Sequence, residues 1–183
     1  HFKNNNDPQG LVTLINRLLS ALTDVVLSLD GTIDKYMGDC VMAFWGAPVD
    51  CDNHQERAVT CAAMMLVALE KLNQEIEAEG LPRMGIGIGV NTGPCVIGNV
   101  GGDKRFDYSA IGDSVNVAAR LESSTRKYVQ NVLIGEDTAK AVPDLVKPLD
   151  TIEVKGKSEK LAVFTLSGKA IHAAHLADHW AVK

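Results

Sequence analysis

The chain has 183 residues, a formal charge of -5, 46% hydrophobic and 22% charged residues, which fits one globular domain with a sizeable core. With no basic run to offset it, the acidic balance argues against a general nucleic-acid binder. Cys40, Cys51, Cys61 and Cys95 lack CxxC spacing, so buried free thiols in a reducing compartment are expected in place of disulfides or a zinc site. Neither a signal peptide nor an apolar stretch long enough to span a bilayer is expected. The domain is therefore expected to be cytoplasmic and not itself inserted in a membrane.

In chain order, Pro8 to Leu29 reads as a helix. Leu11, Ile15, Leu18, Leu22, Val25 and Leu29 recur every three or four residues, with Pro8 in the first turn. From Ile33 to Trp45 two β-rich apolar stretches flank Gly38-Asp39, a short-range hairpin signal. A second helix is predicted from Asn53 to about Glu79, burying Ala58, Cys61, Met65, Leu69, Leu72 and Ile76, and stopping at Gly80 with Pro82 beyond. Arg83 to Thr92 alternates Gly85, Gly87 and Gly89 with Met84, Ile86, Ile88 and Val90. That period of two predicts a strand with one bulky face and one bare face that another element can approach closely. A dinucleotide-binding loop does not fit, because no helix begins after these glycines.

Further on come a strand at Cys95–Val100, a turn at Gly101–Asp103, a helix from about Ser114 to Lys127 and a short strand at Val132–Ile134. A closing ribbon, Thr151–Val154 and Leu161–Leu166, is joined across Lys155-Gly156-Lys157-Ser158. Residues 169–183 read as a tail with no assigned function. The order helix, hairpin, helix, strand predicts an α+β fold. Its expected core is ferredoxin-like, β-α-β-β-α-β, with the first strand missing from this chain and a C-terminal α/β ribbon added.

The hairpin turn lifts the carboxylate of Asp39 to the tip of a rigid ribbon, a placement that suits a divalent cation. In isolation the Gly-Asp pair is good turn chemistry and nothing more. Lys35, four residues earlier, is expected on the same strand face roughly 13 Å away. Downstream lies a second cluster, Asp107-Tyr108-Ser109-Ala110-Ile111-Gly112-Asp113-Ser114-Val115-Asn116-Val117-Ala118-Ala119-Arg120-Leu121-Glu122. Within it Asn116 and Arg120 are four apart and share a helix face. Lys155 and Lys157 flank Gly156 at a ribbon tip, where flexible cations can reach phosphates, although lysines in turns are commonly just solvated.

Taken together, the two clusters resemble the catalytic domain of class III nucleotide cyclases, nearest to bacterial adenylate cyclases that carry threonine or serine at the position of Ser109. The resemblance runs from about Pro8 to Leu166 and implies a catalytic domain over residues 1–168. It implies conversion of ATP to 3',5'-cyclic AMP and pyrophosphate by attack of the 3'-hydroxyl on the α-phosphate. Two divalent cations, Mg2+ or Mn2+, would assist at sites shared across a homodimer. By the same resemblance Asp39 is a metal ligand, the second of two family aspartates. The first belongs to a Phe-x-Asp-x-x-Gly-Phe-Thr-like stretch that this chain does not contain. Lys35 and Ser109 are implied to read adenine, Asn116 to orient the ribose, and Arg120 to stabilise charge at the α-phosphate. Lys155, and after it Lys157, would hold the outer phosphates. Asp39 would come from one chain and the other site residues from its partner.

Guanylate cyclases carry glutamate at the position of Lys35, which makes that activity the runner-up. A catalytically silent dimerisation module is the alternative from another class. Gly101-Gly102-Asp103-Lys104-Arg105-Phe106 is similar to the Gly-Gly-Asp-Glu-Phe motif of diguanylate cyclases, but Lys104 and Arg105 put positive charge where that motif needs acids. His54 reads as a cap-region residue without ligand partners.

Overall fold

Apolar residues at helical spacing recur over Pro8–Ser28 and His54–Ala78, and they form two long helices packed face to face. The structure, a computed structural model, describes residues 8–102, 107–153 and 160–180. Its helices are α1 (Pro8–Ser28), α2 (His54–Ala78), α3 (Asp113–Ser124), α4 (Glu136–Ala141) and α5 (Gly168–Trp180). Its strands are β1 (Thr32–Met37), β2 (Cys40–Phe44), β3 (Ile88–Val90), β4 (Val96–Val100), β5 (Asp107–Ile111), β6 (Val132–Gly135), β7 (Val146–Glu153) and β8 (Lys160–Leu166). The strands form an antiparallel β1–β2 hairpin, an antiparallel β4–β5 ribbon and a four-stranded sheet in the order β3-β6-β8-β7. In that sheet β3 runs parallel to β6, and the other pairs are antiparallel. The architecture is α+β, as expected.

The buried stripe of α1 begins at Leu14 and continues through Leu18, Leu22, Val25 and Val26. The expected members Leu11 and Ile15 are exposed and half-buried. Arg17 pairs with Glu75 and Glu79 at the end of α2, so the first turn of α1 runs past the end of α2, and among the described residues Leu11 stays exposed. By length and mean hydropathy, 1.5 over its best window, α1 is long and apolar enough to cross a membrane, against the sequence expectation. Its buried stripe nevertheless packs on α2 and the hairpin, through Cys61, Met65, Leu69, Leu72 and Ile76 on one side and Ile33, Val41 and Trp45 on the other.

Helix α2 is buried on two faces. One meets α1, while Val59, Ala62, Ala63 and Val67 meet the four-stranded sheet and α5. The segment after Gly168 is thus a docked helix in the structure, with Ala170 and Ala174 in the core and Asp178 paired to Lys71 of α2 at 2.5 Å. Of the cysteines only Cys61 is buried; burial pushes its thiol up to about 12. Cys40 and Cys51 are half-buried and Cys95 is exposed, which corrects the expectation of four buried thiols, while all four are free.

The strand expected over Arg83–Thr92 shortens to Ile88–Val90. Strand assignment needs a laddered neighbour, and among the described residues β3 pairs with β6 alone, over Ile88–Val90. Residues upstream are held by a side chain instead. Asn73 of α2, 2% exposed, accepts from the Met84 N–H at 2.8 Å and donates to the Met84 carbonyl at 3.0 Å, standing in for a missing strand neighbour. Asn73→Ala would orphan both backbone groups in a dry setting, where one unsatisfied group costs about 1–3 kcal/mol. The expected outcome is a loss of about 2–4 kcal/mol in urea unfolding at unchanged slope; a variant as stable as the parent would show that the clamp contributes nothing.

The bare glycine face behaves as predicted. A Cβ at Gly89 would lie 2.1 Å from the Ala118 carbonyl oxygen, and one at Gly87 2.2 Å from Thr125 Oγ1, so α3 rests directly on the backbone of this segment. The closing ribbon starts earlier than expected, at Val146, and pairs from Val146↔Leu166 to Glu153↔Lys160. Pro148 discourages a strand reading in sequence, but β7 is the sheet edge, where proline is tolerated.

Candidate active site

The β1–β2 turn consists of Gly38 and Asp39 alone, since Met37 pairs with Cys40. Gly38 has φ +61°, the left-handed conformation that a type II′ turn demands of its first central residue and that glycine adopts without penalty. Asp39 is exposed at this tip. It therefore lies in the turn and not in β1, and the strand-face parity expected between Lys35 and Asp39 does not hold. The Cys40 thiol beside it is pushed up, first by burial and then by the carboxylates of Glu122 and Asp39.

Residue pairing in the hairpin jumps from Ile33↔Ala43 to Lys35↔Met42, leaving Asp34 as an unpaired bulge. A bulge bends its strand and re-aims a side chain. Here the Asp34 side chain is 0% exposed while that of Lys35 is 46% exposed. Lys35 Nζ lies 3.6 Å from Asp34 Oδ1. Ser109 of β5 donates its hydroxyl to the same carboxylate, at 2.9 and 3.1 Å to its two oxygens, and the Ala110 N–H donates at 2.8 Å. Lys35 and Ser109 are thus gathered around one buried acid. A tilted ring contact between Phe44 and Tyr108, centroids 6.0 Å apart, braces the same junction of the two ribbons.

Helix α3 is oriented by its inward side chains. Leu121 is fully buried with Leu133 and Val163, and Val117 packs beside it. Asn116 and Arg120 each precede one of these residues, so they stand about 100° further round the helix and are exposed, sharing a face as predicted. Asn91 donates to the Ser114 carbonyl at 3.0 Å, and Ser114 Oγ donates to the Pro94 carbonyl at 3.0 Å. These bonds tie the first turn of α3 to the loop after β3. Lys155 and Lys157 lie outside the described residues, as does Asp103–Phe106 of the diguanylate-cyclase-like stretch.

As a metal ligand Asp39 offers one hard oxygen donor on an open turn. Among the described residues no group of three or more His, Cys, Asp or Glu side chains converges on a common point. Divalent cations of this kind take six or more oxygens, so Asp39 fits one corner of such a site and does not make the whole of it. A cleft of about 910 Å³ lies between α1, α2 and α5, bordered by Arg17, Asp24 and Lys71. It includes none of the candidate residues: Lys35, Asp39, Asn116 and Arg120 are instead exposed on the hairpin and α3, while Ser109 of β5 is buried.

Sequence reasoning missed Asp34. The available signal was Asp34-Lys35, two adjacent charges inside an apolar ribbon, where regular alternation would turn one of them inward.

A model of the adenylate and guanylate cyclase catalytic domain matches residues 1–168. The chain belongs to this family. It is 37% identical over 163 residues to adenylate cyclase 1 of Rhizobium meliloti (strain 1021), a match covering 88% of this chain and 24% of the relative. This chain therefore spans about a quarter of that relative's length. Among solved structures it is similar to the guanylyl cyclase Cya2, with a TM-score of 0.82 and 33% identity over 91% of this chain and 84% of the other. It is also similar to the adenylyl cyclase CyaB from P. aeruginosa, with a TM-score of 0.77 and 34% identity over 87% and 83% of the two chains. One of these neighbours is a guanylyl and the other an adenylyl cyclase, so overall likeness does not separate the two bases. That choice rests on individual side chains.

Proposed function

We propose that residues 1–168 form the catalytic unit of a cytoplasmic adenylate cyclase that converts ATP to 3',5'-cyclic AMP and pyrophosphate as a homodimer. The observation that carries the choice of base is the meeting of Lys35 and Ser109 at the Asp34 carboxylate, 75 residues separating Asp34 from Ser109. The Lys35 ammonium has donors only and suits the N1 acceptor of adenine, whereas guanine presents an N–H at that atom. Ser109 Oγ accepts from the exocyclic amine. With the base held, Asn116 orients the ribose so that the 3'-hydroxyl faces the α-phosphate, and the Arg120 guanidinium supplies two parallel donors as charge builds there. Lys155, or failing it Lys157, holds the outer phosphates. Asp39 contributes one oxygen to a divalent-cation site completed by further donors; the bound cations neutralise phosphate charge.

Dimerisation is supported by exposed apolar residues beside the site. Val96 and Ile111 are register partners across β4–β5 and are 76% and 53% exposed. Tyr36 and Met37 at the hairpin end are also exposed. Exposed apolar side chains paired across a ribbon suit burial in an interface.

The test is base selectivity in the full-length protein. Lys35→Glu combined with Ser109→Cys inverts the donors and acceptors facing the base edge and should lower the ATP-to-GTP ratio of kcat/KM by up to about 10⁴. An unchanged ratio would remove both residues from the base pocket.

A further inference from the structure

The Asp34 carboxylate is fully buried, is given no role by the family resemblance, and sits on a bulge whose effect is to aim it away from the β1–β2 ladder toward β5. Its partners are the Ser109 hydroxyl, the Ala110 N–H and the Lys35 ammonium. A serine hydroxyl owns one proton and two lone pairs. With that proton given to Asp34, Ser109 Oγ has only lone pairs left to present. Ser109 is 3% exposed, so the direction of this hydrogen bond is held in a dry environment and not averaged by solvent.

We infer that Asp34 is a positioning residue for base selection: by taking the Ser109 proton it makes Ser109 Oγ an obligate acceptor, and by attracting Lys35 Nζ it sets a donor beside that acceptor. Such a pair matches an amino group next to an unprotonated ring nitrogen, which is the edge of adenine. It opposes guanine twice, since Ser109 has no proton for the carbonyl oxygen and Lys35 faces an N–H. The inference rests on the adenine-pocket reading above. The competing role for Asp34 is a latch between the hairpin and the β4–β5 ribbon, with no influence on which base is used.

Asp34→Asn separates the two roles because it keeps the size and shape of the side chain. The amide oxygen can accept from the Ala110 N–H while its NH2 donates to Ser109 Oγ, freeing the serine proton to face the base. In the full-length protein the ATP-to-GTP ratio of kcat/KM should fall about tenfold or more. In a Ser109→Ala background the same substitution should leave the ratio where Ser109→Ala alone put it, because the effect passes through the hydroxyl. No shift in the parent background with melting intact, or an equal shift in both backgrounds, overturns the inference. Should Asp34→Asn fail to fold, Ser109→Thr and Ser109→Val decide the matter. Threonine keeps the donation and should hold the parental ratio, whereas valine should lower it, and equal behaviour of the two overturns the proposal. Failure of the Lys35→Glu, Ser109→Cys pair to move the ratio would instead sink the adenine pocket itself. If that pair moves the ratio and Asp34→Asn does not, the pocket stands and the role of Asp34 falls.

Discussion

Gly89→Ala is expected to lose about 3 kcal/mol or more of stability, together with any activity that depends on α3. Overpacking a core costs about 1–3 kcal/mol when side chains can give way. Here they cannot, because the new Cβ would lie 2.1 Å from the Ala118 carbonyl oxygen and 2.5 Å from the Glu122 backbone N. Both atoms belong to the hydrogen-bonded backbone of α3, so relief requires the whole helix to retreat. Leu121 would then leave its fully buried place against Leu133 and Val163, and Asn116 and Arg120 would move with it. Gly85→Ala is the control, since a Cβ there meets nothing within 4 Å and the backbone φ is not one that favours glycine. That variant should stay within about 0.5 kcal/mol of the parent. Paired urea denaturations read the contrast; equal midpoints for the two variants would show that α3 is not seated on this backbone.

The contact explains why so much of the fold was legible. The glycine alternation from Gly85 to Gly89 implies a close approach, and α3 with the turn after it is the partner at Gly87 and Gly89, though not at Gly85. Helices α1 and α2 were readable because their apolar spacing is long and regular, yet only packing decided that Leu14 and not Leu11 opens the buried stripe of α1. Helix α5 gave little signal because its buried positions, Ala170 and Ala174, are small and barely stand out from the alanines around them. Strand β3 was overextended because alternation reports which way side chains face, whereas a ladder also needs a neighbour. Among the candidate site residues, helix spacing alone put Asn116 and Arg120 on one face, whereas Lys35 and Ser109 were singled out by the family resemblance. Asp34 was not legible, since a bulge breaks the period of two that a strand reading relies on.

Mixing two inactive variants is expected to restore activity. If Asp39 and Arg120 serve one site but come from different chains, Asp39→Asn homodimers carry a defective cation corner in both sites, and Arg120→Ala homodimers lack the phosphate clamp in both. Removing a preorganised charge partner of this kind costs about 10²–10³ in turnover, so each variant alone should be nearly silent in the full-length protein. In a heterodimer the two substitutions fall together in one site and leave the other intact, because a two-fold dimer presents equivalent sites built from the same pair of surfaces. Random pairing makes half of all dimers heterodimeric, and each has one working site of two, so the mixture should approach about a quarter of parental activity. Both residues suit the test structurally: Asp39 is exposed on a turn fixed by Gly38, and Arg120 is exposed on a helix anchored by other residues, so neither substitution disturbs a buried contact of the core. The exposed pair Val96 and Ile111 supplies a check on the interface itself. Adding Ile111→Lys to both variants should abolish the recovery by preventing association, which sedimentation would show directly. Heterodimers that form and stay silent would place Asp39 and Arg120 in the site of a single chain, and the shared-site arrangement would have to be given up.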